Sequence, residues 1–589
     1  MRPLVLLLSF LFVIPLSGQK KPNIVIIFAD DLGYGDLSCY GHPSIRTPFL
    51  DQMAEEGMRF TQFYAAASVC TPSRAGLLTG RYPVRTGMVK GLIPGRVLFP
   101  NSPDGLPLHE ETIAEVLKKE GYRTAMVGKW HLGDQPEFLP TRQGFDHYFG
   151  IPYSNDMAFI RSEGSKAGYW NVPLLRDEEI IERPAVQTTL TKRYTEQAVE
   201  FIKEPKDQPF FLYLAHTMPH IPLFASQKFK GSSLRGLYGD VIEEIDWSVG
   251  KILETLRNQG IAQNTLVVFT SDNGPWLVQE QNGGSAGLLK EGKGTTWEGG
   301  MRVPMIAWWP GTVPSGKIVS KVSSTLDILP TVAEFSGAEP SEEIDGLSLG
   351  PLLQGEDDSP RKYFAYYRND EVYAVRYGPW KAHYITQTEY PAGSKNLHSP
   401  PLLYNLHVDP SELYDVSGQN PEIIAIIDQW LKEHEKSVKS FENPSLEAES
   451  FIASVEVTGG KVRVQEMENF EGKWGSDQQL WWVEASPGDE LTFHIEQTSA
   501  GPRDFIGFFT RAADYGIIRV SVNGKPLSPL VDGYATNVEP TGAVSFGSVY
   551  FRKGRNLVTI EMIGKDHRAG GYSNGYLVGV DGFLIKDFK

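Results

Sequence analysis

The chain has 589 residues, 41% of them hydrophobic, which is enough for two or three domains with large apolar cores. Its formal net charge of −16 argues against a surface that binds nucleic acid or other long polyanions, but it leaves room for one local basic pocket that binds a single anion. We therefore expect no nucleic-acid partner.

The first 18 residues have the layout of a secretory signal peptide. A basic residue, Arg2, precedes a short apolar run at 4–16, and the small residues Ser17 and Gly18 follow at the expected cleavage site. The apolar run is too short to cross a membrane comfortably, and the rest of the sequence contains no other candidate span. We predict an exported, soluble protein without stable membrane insertion, either periplasmic or secreted from the cell.

Four continuous apolar runs that each end in polar residues indicate a mainly parallel β-sheet. Such runs are typical of strands buried on both faces, and helical patterns at 112–121, 190–203 and 240–259 lie between them, so helices should cover both faces. Ligands of such α/β sheets bind beyond the carboxyl ends of the strands, where the polar residues fall. The runs and their polar residues are 23–29 with Asp30 and Asp31, 124–128 with Lys129 and His131, 210–215 with His216 and His220, and 266–271 with Asp272 and Asn273.

The segment Ser-Val-Cys-Thr-Pro-Ser-Arg at 68–74 places a cysteine beside a predicted helix. Thr71 suits the N-cap of that helix and Pro72 its first position, so Cys70 should lie just ahead of the free N–H groups and the positive end of the helix, which favour anions. A lone cysteine is usually a small buried hydrophobic residue, but Pro, Ser and Arg at this helix start favour a reactive one. Pairing it with Cys39 would consume that residue, so we expect no structural disulfide.

Three carboxylates and an amide at the predicted sheet edge indicate a metal site. Asp30, Asp31 and Asp272 would repel one another if crowded without a cation. With the side-chain oxygen of Asn273 they form an all-oxygen set, which suits Ca²⁺ or Mg²⁺ rather than Zn²⁺. Each motif is weak alone, since paired aspartates also cap helices, single histidines are often structural and Asp-Asn-Gly is a common turn, so the prediction depends on their convergence. The anion-binding half would come from Arg74, Lys129, Lys293 and the histidines.

The middle of the chain predicts the end of the large sheet and a second, smaller one. A buried strand at 302–310 and a helix at 324–333 complete the α/β part. Residues 363–384 then alternate between apolar and polar with many aromatics, which predicts a small antiparallel sheet, and 421–439 has the pattern of an amphipathic helix.

From about residue 449 the helical patterns vanish, and short apolar runs alternate with Gly, Pro and Asn turns such as Asn523-Gly524. This spacing predicts a β-sandwich of roughly 130 residues. The sandwich is similar to the jelly-roll modules attached to carbohydrate-active enzymes, and its aromatics could stack on sugar rings, although most of them are expected in the core. The predicted domains are an α/β domain at 19–360, an antiparallel subdomain at 361–445 and a carbohydrate-binding-like sandwich at 450–589.

The motif Cys70-Thr-Pro-Ser-Arg74, continued by Leu-Leu-Thr-Gly-Arg81, resembles the signature of the type I sulfatases, in which the cysteine is oxidised after translation to Cα-formylglycine. Similar motifs recur in order from about Asn23 to about Ser437. The resemblance implies an alkaline-phosphatase-like α/β fold, a bound Ca²⁺, a maturation enzyme that generates the formylglycine, and hydrolysis of a sulfate monoester.

The resemblance also implies a role for each matching residue. The calcium ligands are matched by Asp30, Asp31, Asp272 and Asn273, with modified Cys70 also at the metal. In the rest of the site, Arg74, Lys129 and His131 would hold the formylglycine and the sulfate, His220 would face the leaving oxygen, Lys293 would be a second sulfate-binding lysine and Ser154 would line the pocket. Structural or rim positions are expected for His216 and Lys290.

The chemistry of a sulfate monoester explains the need for such residues. The ester is a poor, negatively charged electrophile, so a metal and two lysines neutralise its oxygens before a nucleophile approaches. The nucleophile would be a hydroxyl of the formylglycine hydrate at position 70, with Asp272 accepting its proton and His220 protonating the departing alcohol. By resemblance, His131 is the base of a second step in which the other hydroxyl expels sulfate. Unmodified Cys70 has no such hydroxyl, so unmodified protein should be inactive.

The sequence leaves the substrate open between a sulfated carbohydrate, which we favour, and an aryl sulfate. Loops at 88–104 and 156–183 would meet the group that carries the sulfate, and Arg96, Arg161 and Arg176 could bind a uronate or a second sulfate. Two alternative functions stay open: a phosphomonoesterase or phosphonate hydrolase of the same superfamily, and a non-catalytic glycan-binding protein. The sequence does not predict the ring position of the sulfate, exo or endo action, or the oligomeric state.

Overall fold

In the computed structural model, the described part of the chain begins at residue 20 and ends at residue 587. The predicted signal peptide at 1–18 and Arg96 of the predicted substrate loop lie outside the described residues. The described ranges are 20–89, 97–102, 104–161, 168–205, 207–340, 343–357, 361–389, 393–438, 445–467, 470, 474, 478–497, 499–570 and 575–587.

A large, mainly parallel sheet forms the centre of the first part of the chain. The described strands up to residue 324 are β1 Asn23–Ala29, β2 Met58–Tyr64, β3 Arg123–Lys129, β4 His147–Ile151, β5 Phe159–Arg161, β6 Gly168–Trp170, β7 Leu174–Arg176, β8 Glu179–Glu182, β9 Phe210–Ala215, β10 Thr265–Ser271, β11 Arg302–Trp308, β12 Lys317–Val319 and β13 Ser323–Ser324. Apart from the β5–β6 hairpin, they form one sheet in the order β12-β2-β11-β10-β1-β9-β3-β4-β7-β8, with β13 also paired to β2. Strand β1 runs parallel to β9 and β10, and β3 runs parallel to β9 and β4, which confirms the predicted sheet.

Helices cover both faces of this sheet because its central strands are apolar on both sides. The described helices are α1 Pro48–Glu56, α2 Cys70–Thr79, α3 Pro83–Thr86, α4 Ile113–Lys119, α5 Leu190–Lys203, α6 Leu237–Asn258, α7 Glu298–Met301, α8 Ile328–Ser336, α9 Gly350–Leu353 and α10 Pro421–Ser437. In β1, Ile24, Ile26 and Phe28 enter the core on one face, and Val25 and Ile27 enter the core on the other. Side chains of α2, α4 and α8 pack in the first core, and those of α1, α5 and α6 pack in the second.

Helix α2 begins at Cys70 itself, so the prediction that Thr71 caps this helix is wrong. Val69 occupies the N-cap position, and its side chain makes no capping hydrogen bond. The Thr71 hydroxyl instead donates a hydrogen bond to the carbonyl oxygen of His131 at 3.1 Å and accepts one from the backbone N–H of Leu98 at 3.1 Å. These tertiary contacts occupy the oxygen that local capping would need, and they tie the start of α2 to the segment after β3.

A small antiparallel sheet follows the large one, as the alternation at 363–384 predicts. Its strands, in their order across the sheet, are β14 Tyr363–Arg368, β15 Glu371–Tyr377, β16 Trp380–Thr386 and β17 Asn396–Asn405. Helix α10 packs on this sheet, with Ile424 and Ile427 in one apolar cluster with Val375, Ala382 and Leu403.

The last described part of the chain is an all-β sandwich, as predicted. Its strands are β18 Ser445–Glu447, β19 Glu456–Val457, β20 Lys461–Glu466, β21 Gln478–Val483, β22 Glu490–Gln497, β23 Gly501–Arg511, β24 Ile517–Val522, β25 Lys525–Pro526, β26 Val531–Asp532, β27 Glu539–Phe551, β28 Gly554–Gly564 and β29 Val578–Asp587. One sheet has the order β20-β21-β29-β23-β27 with β18 on β29, and the other has the order β19-β22-β28-β24-β25 with β26 on β24. Phe505 and Phe583 of the first sheet share a core with Phe493 and Ile560 of the second.

The predicted hairpin at Asn523-Gly524 joins β24 to β25 in the sandwich. Both residues have positive φ, 51° and 78°, and Val522 pairs with Lys525 across the turn. Two positive φ angles are characteristic of the type I′ turn that matches the twist of paired strands, which is why Asn-Gly predicts it.

The domain boundaries themselves remain predictions. Within the described part of the chain, no helix is long and apolar enough to cross a membrane.

Candidate active site

The carboxyl ends of the central parallel strands bring the predicted site residues together. Asp30 and Asp31 follow β1, Lys129 ends β3, and Asp272 and Asn273 follow β10, so the parallel register places these side chains at one edge of the sheet. All predicted site residues are buried and at most 7% exposed: Asp30, Asp31, Cys70, Arg74, Lys129, His131, Ser154, His220, Asp272, Asn273 and Lys293.

One half of this cluster is organised around Asp30. Lys129 Nζ donates a hydrogen bond to Asp30 Oδ2 at 2.7 Å, and Arg74 Nη2 lies 3.5 Å from Asp30 Oδ1. Arg74 also donates from Nη2 to Asp272 Oδ2 and from Nη1 to the Lys129 carbonyl oxygen, both at 2.8 Å. Cys70 Sγ lies 3.5 Å from Asp30 Oδ1. The cysteine therefore faces a carboxylate that two buried cations neutralise.

The other half is organised around Asp31. Lys293 Nζ donates to Asp31 Oδ2 at 2.8 Å, and Asn273 Nδ2 donates to Asp31 Oδ1 at 2.7 Å. The Asp31 backbone N–H donates to Asp272 Oδ1 at 3.0 Å. These three contacts join the end of β1 to the end of β10 and to the segment before α7.

His220 directs one ring nitrogen towards the cluster. Its Nδ1 is hydrogen-bonded to the carbonyl oxygen of Ile221, so Nδ1 carries the proton and Nε2 is the nitrogen that can exchange one. Nε2 lies 3.5 Å from Ser154 Oγ and 3.6 Å from Asp31 Oδ2. Ser154 Oγ also accepts a hydrogen bond from Lys129 at 3.2 Å. Ser154 thus joins the histidine to the lysine.

His131 presents the opposite nitrogen. Its Nε2 contacts the carbonyl oxygen of Leu98 at 2.8 Å, whereas its buried Nδ1 has no hydrogen-bond partner among the described residues. Burial lowers the pKa of His131 well below its usual value, and the neighbouring Lys129 lowers it further, so the ring is neutral at neutral pH. Since a carbonyl only accepts, Nε2 holds the proton and Nδ1 retains a lone pair.

Two backbone features bring the charged groups close to one another. A Cβ at Gly128 would lie 1.7 Å from the carbonyl oxygen of Ala215, so only glycine lets β3 approach β9 here, one residue before Lys129. Asp31 and His131 adopt positive φ of 67° and 62°. Non-glycine residues rarely adopt this conformation, and it is concentrated at functional sites.

The electrostatics of the cluster favour charged lysines and a protonated thiol. Burial raises the pKa of the Cys70 thiol well above its usual range, although Lys129 and Lys293 act in the other direction. The thiol is therefore protonated at neutral pH, and since the thiolate is the reactive form, unmodified Cys70 is a poor nucleophile. Burial alone would lower the pKa of both lysines, but Asp30 raises that of Lys129 and Asp31 raises that of Lys293.

The residues present fit a divalent cation. Asp30, Asp31, Cys70 and His220 each offer one ligand atom, and these atoms lie within 4.8 Å of one another. Asn273 Oδ1 is buried and has no hydrogen-bond partner in the described part of the chain. Since Asn273 Nδ2 binds Asp31, this oxygen is available as a metal ligand next to the Asp31 carboxylate. Oxygen donors of this kind suit Ca²⁺ and Mg²⁺. Both oxygens of Asp272 accept hydrogen bonds from protein donors, so its role as a ligand remains a prediction.

Asp156 belongs to the same region, but sequence reasoning did not include it among the site residues. Its Oδ1 atom is buried and has no hydrogen-bond partner in the ranges that the structure describes. Burial would raise the pKa of Asp156, but His220, Lys129 and Lys293 outweigh it, so the carboxylate is ionised close to the anion-binding groups. The signal that could have found it is its place two residues after Ser154.

A parallel α/β sheet that buries paired carboxylates, two ammonium groups and a cysteine at its carboxyl edge has the composition expected of an enzyme site for anionic esters. The sequence profile of the sulfatase family matches residues 22–338, and the profile of the C-terminal region of aryl-sulfatase matches residues 359–455. The chain therefore belongs to the sulfatase family. Residues after 455, which include most of the sandwich, lie beyond both matches.

Individual relatives agree with this assignment. Arylsulfatase A of Homo sapiens is 45% identical over 450 residues, which cover 70% of this chain and 88% of that protein. N-acetylgalactosamine-6-sulfatase of Mus musculus is 40% identical over 474 residues, which cover 74% and 90%. The solved structure of Ps i-CgsB in complex with k-i-k-neocarrahexaose is 33% identical, with a TM-score of 0.60, and the match covers 70% of this chain and 92% of that one. The protein is thus a sulfuric ester hydrolase, as predicted.

Proposed function

We propose that this sulfatase removes sulfate from a carbohydrate, with Cys70 in the form of Cα-formylglycine and with a bound Ca²⁺. The observation that carries the proposal is the place of Cys70, whose Sγ lies 3.5 Å from Asp30 Oδ1 among the buried groups Arg74, Lys129 and Lys293. A neutral, protonated thiol is not stabilised by nearby positive charges. A nucleophile that attacks an anionic ester, in contrast, needs positive charges beside it to neutralise the ester oxygens.

Formylglycine at position 70 would supply the nucleophile, and a bound Ca²⁺ would supply part of the charge neutralisation. A formylglycine hydrate at position 70 would supply one hydroxyl for attack and a second for sulfate release, and a bound cation would supply positive charge to the sulfate oxygens. Asp30, Asp31 and Asn273 Oδ1 would hold that cation. Lys129 and Lys293, which are buried and charged, would neutralise further sulfate oxygens.

Three side chains of the cluster suit the proton transfers. Burial raises the pKa of Asp272, and the neighbouring Asp30 raises it further. A carboxylate with a raised pKa binds a proton more readily, so Asp272 would accept the proton of the attacking hydroxyl. His220 directs Nε2 into the cluster and would protonate the departing sugar oxygen. His131 Nδ1 has no hydrogen-bond partner among the described residues, and the resemblance to the family assigns His131 as the base of the sulfate-release step.

A sulfated carbohydrate is the substrate class that we propose, and an aryl sulfate is the alternative. Ps i-CgsB, at 33% identity, was solved with k-i-k-neocarrahexaose, an oligosaccharide. We also propose that the first 18 residues direct export and that a maturation enzyme generates the formylglycine, because the Cys70 thiol needs an external oxidant to become an aldehyde.

The proposal is tested by mass spectrometry of the peptide that contains residue 70, together with sulfate release from a panel of sulfated mono- and oligosaccharides. We expect turnover to rise in proportion to the modified fraction, and 4-nitrophenyl phosphate to be a poorer substrate than 4-nitrophenyl sulfate. Full activity in wholly unmodified protein would refute the formylglycine mechanism. Turnover of aryl sulfate but of no sulfated sugar would refute the carbohydrate assignment.

A further inference from the structure

The segment 290–300 carries Lys293 to Asp31 and contacts the small antiparallel sheet on its other side. It contains four glycines, and α7 at its end is its only described helix. A glycine-rich backbone has many accessible conformations, so contacts from outside must select one. We propose that Glu412 and Lys381 are positioning residues that fix this segment and thereby place Lys293. This inference rests on the proposed sulfate-binding role of Lys293.

The two proposed residues bind the backbone of the segment just after Lys293. Lys381 Nζ donates to the carbonyl oxygen of Thr296 at 2.8 Å, and Glu412 Oε2 accepts the backbone N–H of Glu298 at 2.8 Å. Lys381 and Glu412 also contact each other at 3.0 Å, and both side chains are 0% exposed. Two backbone groups within five residues of Lys293 are therefore held by a buried ion pair.

Side-chain contacts reinforce this attachment around Trp297. Lys290 Nζ lies 3.6 Å from the centroid of the Trp297 ring and donates to the carbonyl oxygen of Glu412 at 3.2 Å. The His383 ring packs on Trp297 with centroids 4.2 Å apart, and His383 Nε2 lies 2.7 Å from Glu412 Oε1. Glu412 thus contacts both sides of Lys293 along the chain, at Lys290 and at Glu298.

At its other face the segment contacts the active site directly. The backbone N–H of Gly294 donates to the carbonyl oxygen of Ser68, two residues before Cys70, at 2.8 Å. The backbone N–H of Lys293 donates to the carbonyl oxygen of Pro275 at 2.9 Å. Lys293 Nζ then reaches Asp31. A displacement of residues 296–298 would therefore move the ammonium group of Lys293.

The charges of this network make it sensitive to the loss of one partner. Glu298, which is fully buried, contacts Lys381 at 3.0 Å and Arg376 at 3.7 Å. Burial alone would raise the pKa of Glu298, but Lys381 and Arg376 outweigh it and lower the pKa to about 2. Neutralising Glu412 would leave Lys381 with one carboxylate instead of two, and an incompletely paired buried charge draws in water or moves. The segment bound to it would shift accordingly.

The test is a double-mutant cycle between Glu412→Gln and Lys293→Ala, with the affinity for inorganic sulfate measured by titration calorimetry. We expect Glu412→Gln to weaken sulfate binding about tenfold in the otherwise wild-type protein and to have no further effect when Lys293 is already alanine. Its effect on Tm should be the same in both backgrounds. Lys381→Gln should reproduce this pattern from the other partner of the ion pair.

Asp246→Asn is the matched control, because Asp246 is a buried carboxylate that also binds backbone N–H groups, those of Phe49 and Leu50 at the start of α1. It should lower Tm and leave sulfate affinity unchanged. Equal weakening by Glu412→Gln with and without Lys293, or no weakening, would overturn the inference. So would wild-type protein that does not bind sulfate. Wild-type protein that binds sulfate but releases none from any ester would overturn only the proposed function.

Discussion

The active-site edge of the large sheet and the C-terminal sandwich place charge in opposite ways. At the site, Asp30, Lys129 and Arg74 are 0% exposed and contact one another within 3.5 Å. In the sandwich, an ion pair such as Lys461 with Glu484 lies on the surface, with side-chain exposures of 61% and 57%, while apolar side chains fill the core. Buried charges lower the stability of a fold and surface pairs add little to it. The sheet edge is therefore built for binding an anion, and the sandwich is built for packing.

The largest difference between an effect on turnover and an effect on stability is expected at Cys70. Its side chain contributes little to packing, but the proposed chemistry depends on it. Cys70→Ala should lower turnover of a sulfate ester by roughly 10⁴-fold or more, because no nucleophile remains at that position. Tm should change by only a few degrees, since about one buried atom is lost. Cys39→Ala is the control and should retain turnover. Activity in Cys70→Ala would contradict the assignment.

Removal of the metal, like removal of Cys70, should lower turnover while the fold is retained. Dialysis against a chelator should lower turnover by about 100-fold or more, because the sulfate oxygens lose their strongest source of positive charge. The fold should persist, since Lys129 pairs with Asp30 and Lys293 pairs with Asp31 in any case. Circular dichroism should be unchanged, and Ca²⁺ should restore turnover better than Zn²⁺. Full turnover after exhaustive chelation would contradict the calcium site.

A smaller effect is expected at Asp156, which carries a negative charge into the anion-binding region. Asp156→Asn should lower kcat/KM for a sulfated sugar about tenfold, because a half-buried, ionised acceptor that interacts electrostatically with His220 is lost. The measurement is sulfate release as a function of sugar concentration. Glu179→Gln, on the exposed strand β8, is the matched control and should change little. An unchanged kcat/KM in Asp156→Asn would show that this carboxylate does not contribute.

The smallest effect on turnover is expected from a core change in the sandwich. Phe505 is 0% exposed and contacts the rings of Phe546, Phe551 and Phe583, so Phe505→Ala should lower the free energy of unfolding by about 3–5 kcal/mol. Turnover per folded molecule should stay within about twofold, since the site residues follow strands of the large sheet and not of the sandwich. Denaturant unfolding and an activity assay on the same samples measure both. Lost turnover at full folding would mean that the sandwich takes part in catalysis.

Much of the site could be predicted from sequence because its residues follow strands that are easy to recognise. Apolar runs such as 23–29 predict buried strands, and the parallel arrangement then brings their carboxyl ends together whatever lies between. The prediction that Thr71 caps α2 was wrong because the Thr71 hydroxyl oxygen accepts a hydrogen bond from the distant backbone N–H of Leu98 instead of from its own helix. Side-chain pairing across long sequence distances, such as Lys381 with Glu298, leaves no periodic signal at all.

The order of strands in the large sheet has a consequence for how the enzyme is made. Strand β1 is synthesised first, but its partners β9 and β10 begin only at residues 210 and 265. About 220 residues separate Cys70 from Lys293, which at about 5–20 residues per second corresponds to roughly 10–45 s on the ribosome. During that interval the nascent chain lacks the strands that later bury the thiol. If Cys70 is modified as proposed, this topology would leave the thiol accessible to the maturation enzyme until the later strands close around it.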